Sequence, residues 1–282
     1  MSCKSLLVFF LFFSYQQLKS QELYINTEPA SLIPKGTKVV RLHHHTFFLN
    51  ETNTPSSVSN AKVLIPSISY GISKKIMVSA SFQFSNNPYD ILKNFAFNGY
   101  KLYSKQRILS TDKNKYHTRL SSFVKYANHG KWYAPNYKYL KNNYDLDFQD
   151  SGLEVGLIAT QLINKLAVSI TSGFGIISNR TSDSTYDDKN FNTLHNSISA
   201  GYLLFPRKYK SYKQTNLNLY LEYLTSTILS KEYPDIYKKF MSTIAPGIQF
   251  IIMSRSRLDF GYKIRSKSSP NEFLVKLTYI LY

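Results

Sequence analysis

NEFLVKLTYILY, residues 271–282, is the stretch whose reading decides the fold. Phe273, Val275, Leu277, Tyr279 and Leu281 alternate with Glu272, Leu274, Lys276, Thr278 and Ile280, so an extended strand here has one wholly apolar face. With Tyr282 as the final residue, such a strand in a soluble sheet would leave a long hydrophobic edge, which soluble proteins avoid or blunt. Closing the sheet removes the edge. In lipid, closure is obligatory, because backbone groups there must all be paired internally. The expectation is an all-β chain forming a closed antiparallel transmembrane β-barrel of about twelve strands.

The same alternation recurs upstream. Val78, Ala80, Phe82 and Phe84 oppose Ser79, Ser81, Gln83 and Ser85; Leu166, Val168 and Ile170 oppose Ala167, Ser169, Thr171 and Gly173. Leu217, Leu219, Leu221 and Tyr223 oppose Asn216, Asn218, Tyr220 and Glu222, and Leu258, Phe260, Tyr262 and Ile264 oppose Asp259, Gly261, Lys263 and Arg265. Strict alternation means a different solvent on each face. Further strands are expected near 37–49, 62–72, 98–109, 115–127, 151–162, 191–205 and 241–253, each close to the length a tilted membrane strand needs. Strands four and five alternate least clearly, and 88–97 has the look of a short loop helix.

The connections sort by length. Short ones fall near 73–74, 110–114, 163–165, 206–213 and 254–255, and longer ones near 50–61, 86–97, 128–150, 178–190, 227–240 and 266–270. Outer-membrane barrels have short periplasmic turns and longer outer loops, so the pattern predicts an outer-membrane location with both termini periplasmic.

The 282 residues show no linker, and 23 Tyr and 19 Phe suit a membrane boundary, where a tyrosine ring is apolar and its hydroxyl wet. Lys4, the apolar run 6–13 and the polar stretch to Ser20 read as a signal peptide over 1–20, too short to span a bilayer. Residues 21–36, with two prolines and no alternation, are expected to form a periplasmic lead-in before a barrel over 37–282. The sole cysteine, Cys3, falls in the signal segment, so the expected mature chain has no thiol chemistry. Removing Lys4 and Lys19 takes the net charge from +18 to +16. The lysines are scattered over turns and loops, which points to a solvated surface near anionic lipid rather than to nucleic acid.

Tyr282 resembles the terminal aromatic residue with which outer-membrane barrels of Gram-negative bacteria close, an insertion signal read by their assembly machinery, although it falls one step out of phase with Leu281, Tyr279 and Leu277. The stretch 22–31, with SISYGISKKIMVSASFQFSN at 67–86, GLIATQLINKLAVSITSGF at 156–174 and QTNLNLYLEY at 214–223, resembles a family of outer-membrane barrels of Bacteroidetes that brings no settled activity. A more distant similarity is to outer-membrane barrels associated with aromatic-degradation pathways, which implies passage of small molecules. The partners such a barrel implies are outer-membrane lipids, lipopolysaccharide, the barrel-assembly machinery and small solutes.

Alternation places Arg41, Arg119, Glu154, Glu222, Asp259, Lys263, Arg265 and Lys276 on the inner wall, where mixed charges with a basic excess either tune a channel for small polar or anionic solutes or plug a structural barrel with ion pairs. His43, His44 and His45 attract a metal reading, but only His43 and His45 share a strand face, fewer ligands than zinc takes; neither a metal nor another cofactor is expected. His195 and Ser197 share a face, as the base and nucleophile of an outer-membrane lipid hydrolase would. That face points to the lumen, because Leu194, Ile198, Tyr202 and Leu204 mark the lipid side, so no catalysis is expected. A secreted soluble ligand-binding barrel is the remaining alternative. The loop 129–150, with Lys131, Trp132, Tyr133, Tyr137, Lys138, Tyr139, Lys141 and Tyr144, is expected to fold over the barrel mouth.

Overall fold

The computed structural model of the chain describes residues 24–48, 60–86, 95–113, 116–129, 146–147, 150–178, 190–206, 214–233, 238–266 and 271–281. They form twelve strands: β1 (Lys38–Phe48), β2 (Asn60–Gly71), β3 (Ile76–Ser85), β4 (Ala96–Asp112), β5 (Tyr116–His129), β6 (Ser151–Ile163), β7 (Leu166–Ser178), β8 (Phe191–Phe205), β9 (Asn216–Ile228), β10 (Phe240–Ile252), β11 (Ser256–Arg265) and β12 (Asn271–Leu281). Each pairs antiparallel with its sequence neighbours, and β1 pairs with β12 from Lys38 opposite Leu281 to Phe48 opposite Asn271. The sheet is therefore closed, and the strand that opened the sequence reading is its seam. Tyr282 lies outside the described residues.

Every strand carries an exposed apolar residue on its outer face: Leu42, Ile68, Phe82, Leu102, Val124, Leu157, Ile170, Ile198, Leu221, Ile244, Ile264 and Leu277. Aromatic residues collect toward the two rims. Tyr70, Tyr116, Tyr202, Phe205 and Tyr279 are exposed near the rim of short turns, and Phe48, Phe97, Tyr126, Phe174, Phe240 and Phe273 toward the rim of long loops. An apolar belt between aromatic girdles is the outer surface lipid requires and water penalises, which argues against the soluble ligand-binding alternative. The inner face holds the buried polar groups instead, among them Glu222, Asp259 and Glu272.

Several boundaries differ from the sequence reading for local reasons. β4 is longer than expected, and its register with β5 shifts between Arg107 and Leu109, so Ile108 and Leu109 are both exposed and the alternation breaks. Ala96 and Phe97 belong to this strand, and the rest of the expected loop helix lies almost wholly outside the described residues. The turn expected at 254–255 is centred one residue earlier. Met253 and Ser254 take φ of 48° and 59°, and Arg255 N donates to Ile252 O at 3.1 Å, a tight turn whose twist matches the strands it joins.

The lead-in departs furthest from expectation. Residues 24–33 run inside the barrel. Leu32 and Ile33 pack with Val39 and Met77 near the turn rim, Ala30 packs with Phe123 and Ile158, and Tyr24 and Ile25 pack with Ala167, Tyr220 and Leu274. The segment thus touches walls all round the barrel in its turn-side half. Two glycines make room for it: a Cβ on Gly71 would lie 2.1 Å from Pro34 O, and one on Gly261 would lie 3.0 Å from Ile25 Cγ2.

Candidate functional site: a basic cavity above an internal plug

A chain without periodicity, placed in a lumen, must satisfy its backbone groups on the wall. Residues 24–31 do so at Tyr24, Asn26, Thr27, Pro29 and Ala30, and add side-chain contacts at Glu28 and Ser31. Lys276 Nζ donates to Tyr24 O at 2.7 Å, and Tyr24 Oη donates to Ala167 O at 2.9 Å. Ala30 N donates to Thr160 Oγ1 at 2.8 Å, and Ser121 Oγ donates to Ala30 O at 2.6 Å. Lys105 Nζ bridges Glu28 and Pro29 O, both at 2.9 Å, and Arg119 Nη1 donates to Ser31 Oγ at 3.1 Å.

The tightest hold is at Glu222. Its carboxylate accepts from Asn26 N at 3.2 Å, Asn26 Nδ2 at 2.6 Å, Thr27 N at 2.8 Å and Thr27 Oγ1 at 2.7 Å. Thr27 Oγ1 also meets Ser199 Oγ at 2.7 Å. A fully buried carboxylate is tolerable only with such a donor set.

Between this plug and Asp147, from the loop joining β5 to β6, lies a cavity of about 250 Å³. Its floor is Tyr24–Glu28. Six of its lining side chains are Lys or Arg (Arg41, Lys101, Lys125, Lys263, Arg265, Lys276) and three are carboxylates (Glu28, Asp147, Glu154). The charges are unevenly placed. On the β11, β12 and β1 wall, Glu272 meets three basic groups, Lys263 Nζ at 3.5 Å together with Arg265 and His45 Nδ1. Arg265 also stacks over the Phe47 ring at 5.6 Å, and Arg41 Nη1 donates to Ser69 Oγ at 2.5 Å. Across the lumen, Asp147 Oδ1 lies 2.5 Å from Lys101 Nζ and 3.5 Å from Lys125 Nζ, and Lys125 Nζ lies 3.3 Å from Glu154. Ser and Thr hydroxyls, among them those of Ser67, Ser81, Ser197 and Thr243, share the rest of the lining with apolar side chains such as Phe123, Ile158 and Met241.

All eight inner-wall residues named from alternation face inward, but they divide into three groups, and Lys276 belongs to two of them, since it lines the cavity and holds Tyr24 O. Arg41, Glu154, Lys263, Arg265 and Lys276 line the cavity. Arg119 and Glu222 hold the plug, and Asp259 ends a buried ladder in which Asn218 Nδ2 donates to Gln249 Oε1 at 2.9 Å and Gln249 Nε2 to Asp259 Oδ1 at 2.7 Å. Sequence reasoning missed Lys101, Lys105, Lys125 and Asp147. The parity of 101, 103 and 105 along β4, and of 119 to 125 along β5, was the available signal for the lysines; nothing local marked Asp147. In the 129–150 loop the aromatic and basic residues lie outside the described residues, while Leu146 is buried against Ala127, Ile177, Phe191 and Ile228.

The histidines have other partners. His43 and His45 stack with centroids 6.2 Å apart, and among the described residues no group of three or more His, Cys, Asp or Glu could hold a metal. His195 Nε2 lies 3.0 Å from Thr193 Oγ1, and Ser197 is buried on the inner wall while Ile198 and Tyr202 face outward. A base and nucleophile aimed into the lumen do not reach lipid from outside.

No protein-family profile and no curated protein sequence matches the chain. Solved structures do. The COG4313 outer membrane channel from Pseudomonas putida F1 aligns with a TM-score of 0.51 and 11% identity over 91% of this chain and 99% of its own. The NanC porin aligns with a TM-score of 0.50 and 10% identity over 86% of this chain and 98% of its own. The fold is that of an outer-membrane β-barrel. At such identities the likeness carries no more than that.

Proposed function

We propose that this chain is an outer-membrane channel for small anionic solutes, without catalysis, whose lumen is closed at rest by residues 24–33. The observation that carries the reading is the cavity of about 250 Å³, lined by six Lys and Arg side chains against three carboxylates and floored by Tyr24–Glu28. Wall charges at close quarters set which ions enter. The β1–β12 seam places residues 38 and 281 together at the rim of short turns, which supports periplasmic termini. The signal peptide over 1–20, removed on export, and insertion by the barrel-assembly machinery complete this reading. So do an outer surface in contact with lipid and lipopolysaccharide and a source among Bacteroidetes.

Planar-bilayer recording tests it. The intact refolded protein and a variant lacking residues 24–33 are compared in a potassium chloride gradient, with folding of both checked by heat-modifiable gel mobility. The expected result is rare openings for the intact chain and stepwise currents for the variant, with reversal potentials on the chloride side. A folded variant that is silent would make this a structural barrel, and cation preference would overturn the anionic reading.

A further inference from the structure

Of the three carboxylates lining the cavity, Glu154 belongs to the wall and Glu28 to the plug, and the third, Asp147, is supplied by neither. Asp147 comes from the loop between β5 and β6, yet its Oδ1 lies 2.5 Å from Lys101 Nζ on β4 and 3.5 Å from Lys125 Nζ on β5. The two lysines are largely sheltered, with side-chain exposures of 20% and 17%, and Asp147 is half-buried at 38%. The wall supplies both cations and, to Lys125 alone, the Glu154 carboxylate at 3.3 Å, and the loop supplies the anion that bridges the two lysines. Leu146, beside it, is anchored in the apolar cluster formed by Ala127, Ile177, Phe191 and Ile228, and His129 Nε2 lies 3.3 Å from Leu146 O, so the approach of Asp147 is fixed by its neighbour.

Two ammonium groups converging on one carboxylate form a recognition geometry, and a group on a loop fills it from outside the wall. Resting on the reading of the barrel as an anion channel, we infer that Lys101 and Lys125 are a docking subsite for solute carboxylates, occupied at rest by Asp147 as a tethered internal ligand. The solute class is then small molecules bearing a carboxylate, with the remainder of the molecule facing the hydroxyls of Ser67, Ser81, Ser197 and Thr243 and the basic β11, β12 and β1 wall. The charge state of Asp147 supports the geometry. Burial raises its carboxyl pKa, but Lys101 and Lys125, with Lys263 from across the lumen, outweigh this and hold it well below the usual carboxylate range. The field that stabilises Asp147 is the one an entering carboxylate would meet.

The test is equilibrium binding of malonate to the full-length barrel in detergent. It is read as the rise in unfolding temperature over matched ionic strength of potassium chloride, and needs no open pore. Removing a competitor tethered at millimolar effective concentration should tighten malonate binding by about tenfold in Asp147→Asn. The double variant Lys101→Gln, Lys125→Gln should lose the malonate response, and Lys125→Gln alone, which keeps the closer Lys101 contact, should weaken it. Equal responses to malonate and chloride in Asp147→Asn, or a malonate response surviving in the double variant, would overturn the subsite. A barrel that binds malonate but prefers cations in the bilayer would instead count against the channel reading alone.

Discussion

Glu222→Gln should release the plug without disturbing the barrel. The glutamine fits the same volume, but with its oxygen kept toward Thr27 its NH₂ meets the donors of Asn26 head-on, and it removes the charge that shortens the contacts at 2.6, 2.7 and 2.8 Å. Hydrogen bonds to a charged group contribute about 1.5–3 kcal/mol each, and bonds sharing one acceptor do not add. We therefore take about 3 kcal/mol for the set, which shifts the equilibrium between docked and released segment roughly 150-fold. Ile25, buried against Tyr220 and Leu274 beside Asn26, supplies the reporter. In a protein beginning after residue 20, Ile25→Cys is the sole thiol, and its maleimide labelling rate follows the released fraction. The expected result is an increase of about two orders of magnitude in the Glu222→Gln background, with folded gel mobility unchanged. Equal labelling rates in two folded barrels would refute the assignment of Glu222 as the latch.

Three further outcomes follow from local geometry. Gly247 lies under the Tyr220 ring, where a Cβ would be 2.2 Å from Cζ, so Gly247→Ala should cost about 1–3 kcal/mol in urea unfolding and Tyr220→Ala should relieve it. Met253 and Ser254 hold left-handed φ without being glycine, so Met253→Asn with Ser254→Gly should stabilise by about 1 kcal/mol in the same assay. Asp147 titrates well below the usual range, because Lys101 and Lys125 outweigh burial. Its ion pairs therefore add stability at pH values above its unfolded pKa of about 3.9, and this is lost only as pH falls through the lower folded value. A carboxyl ¹³C resonance of Asp147 moving near pH 4 would contradict this.

The barrel was legible because lipid and water impose opposite demands on successive side chains. β3, β7, β11 and β12 keep that phase throughout and β9 keeps it as far as Tyr223, so their inner and outer faces follow from the order of residues alone. β4 did not, because a bulge at Arg107 to Leu109 resets the phase partway along the strand. The plug left no trace of a different kind. Tyr24 finds Lys276 across 252 residues and Glu222 meets Thr27 across 195, and a segment that borrows every partner from distant strands has no period of its own to read. Its two prolines and lack of alternation excluded a strand, but did not say on which side of the wall it would lie.

The plug also explains why alternation could mark inward charges without sorting them. Strand parity reports only that a side chain leaves lipid, and a lumen offers two fates to the charge that does. Where residues 24–33 fill the turn-side half, a charge is spent on backbone groups, as Glu222 is on two N–H groups and Lys105 on a carbonyl. Toward the loop rim no such segment lies among the described residues, and Lys263 and Arg265 both meet the buried carboxylate of Glu272 beside a cavity. Burying cations in excess of their counter-ions is costly unless something else neutralises them. On the proposed reading of the barrel as an anion channel, the lysines and arginines that line this cavity are the groups an entering anion meets.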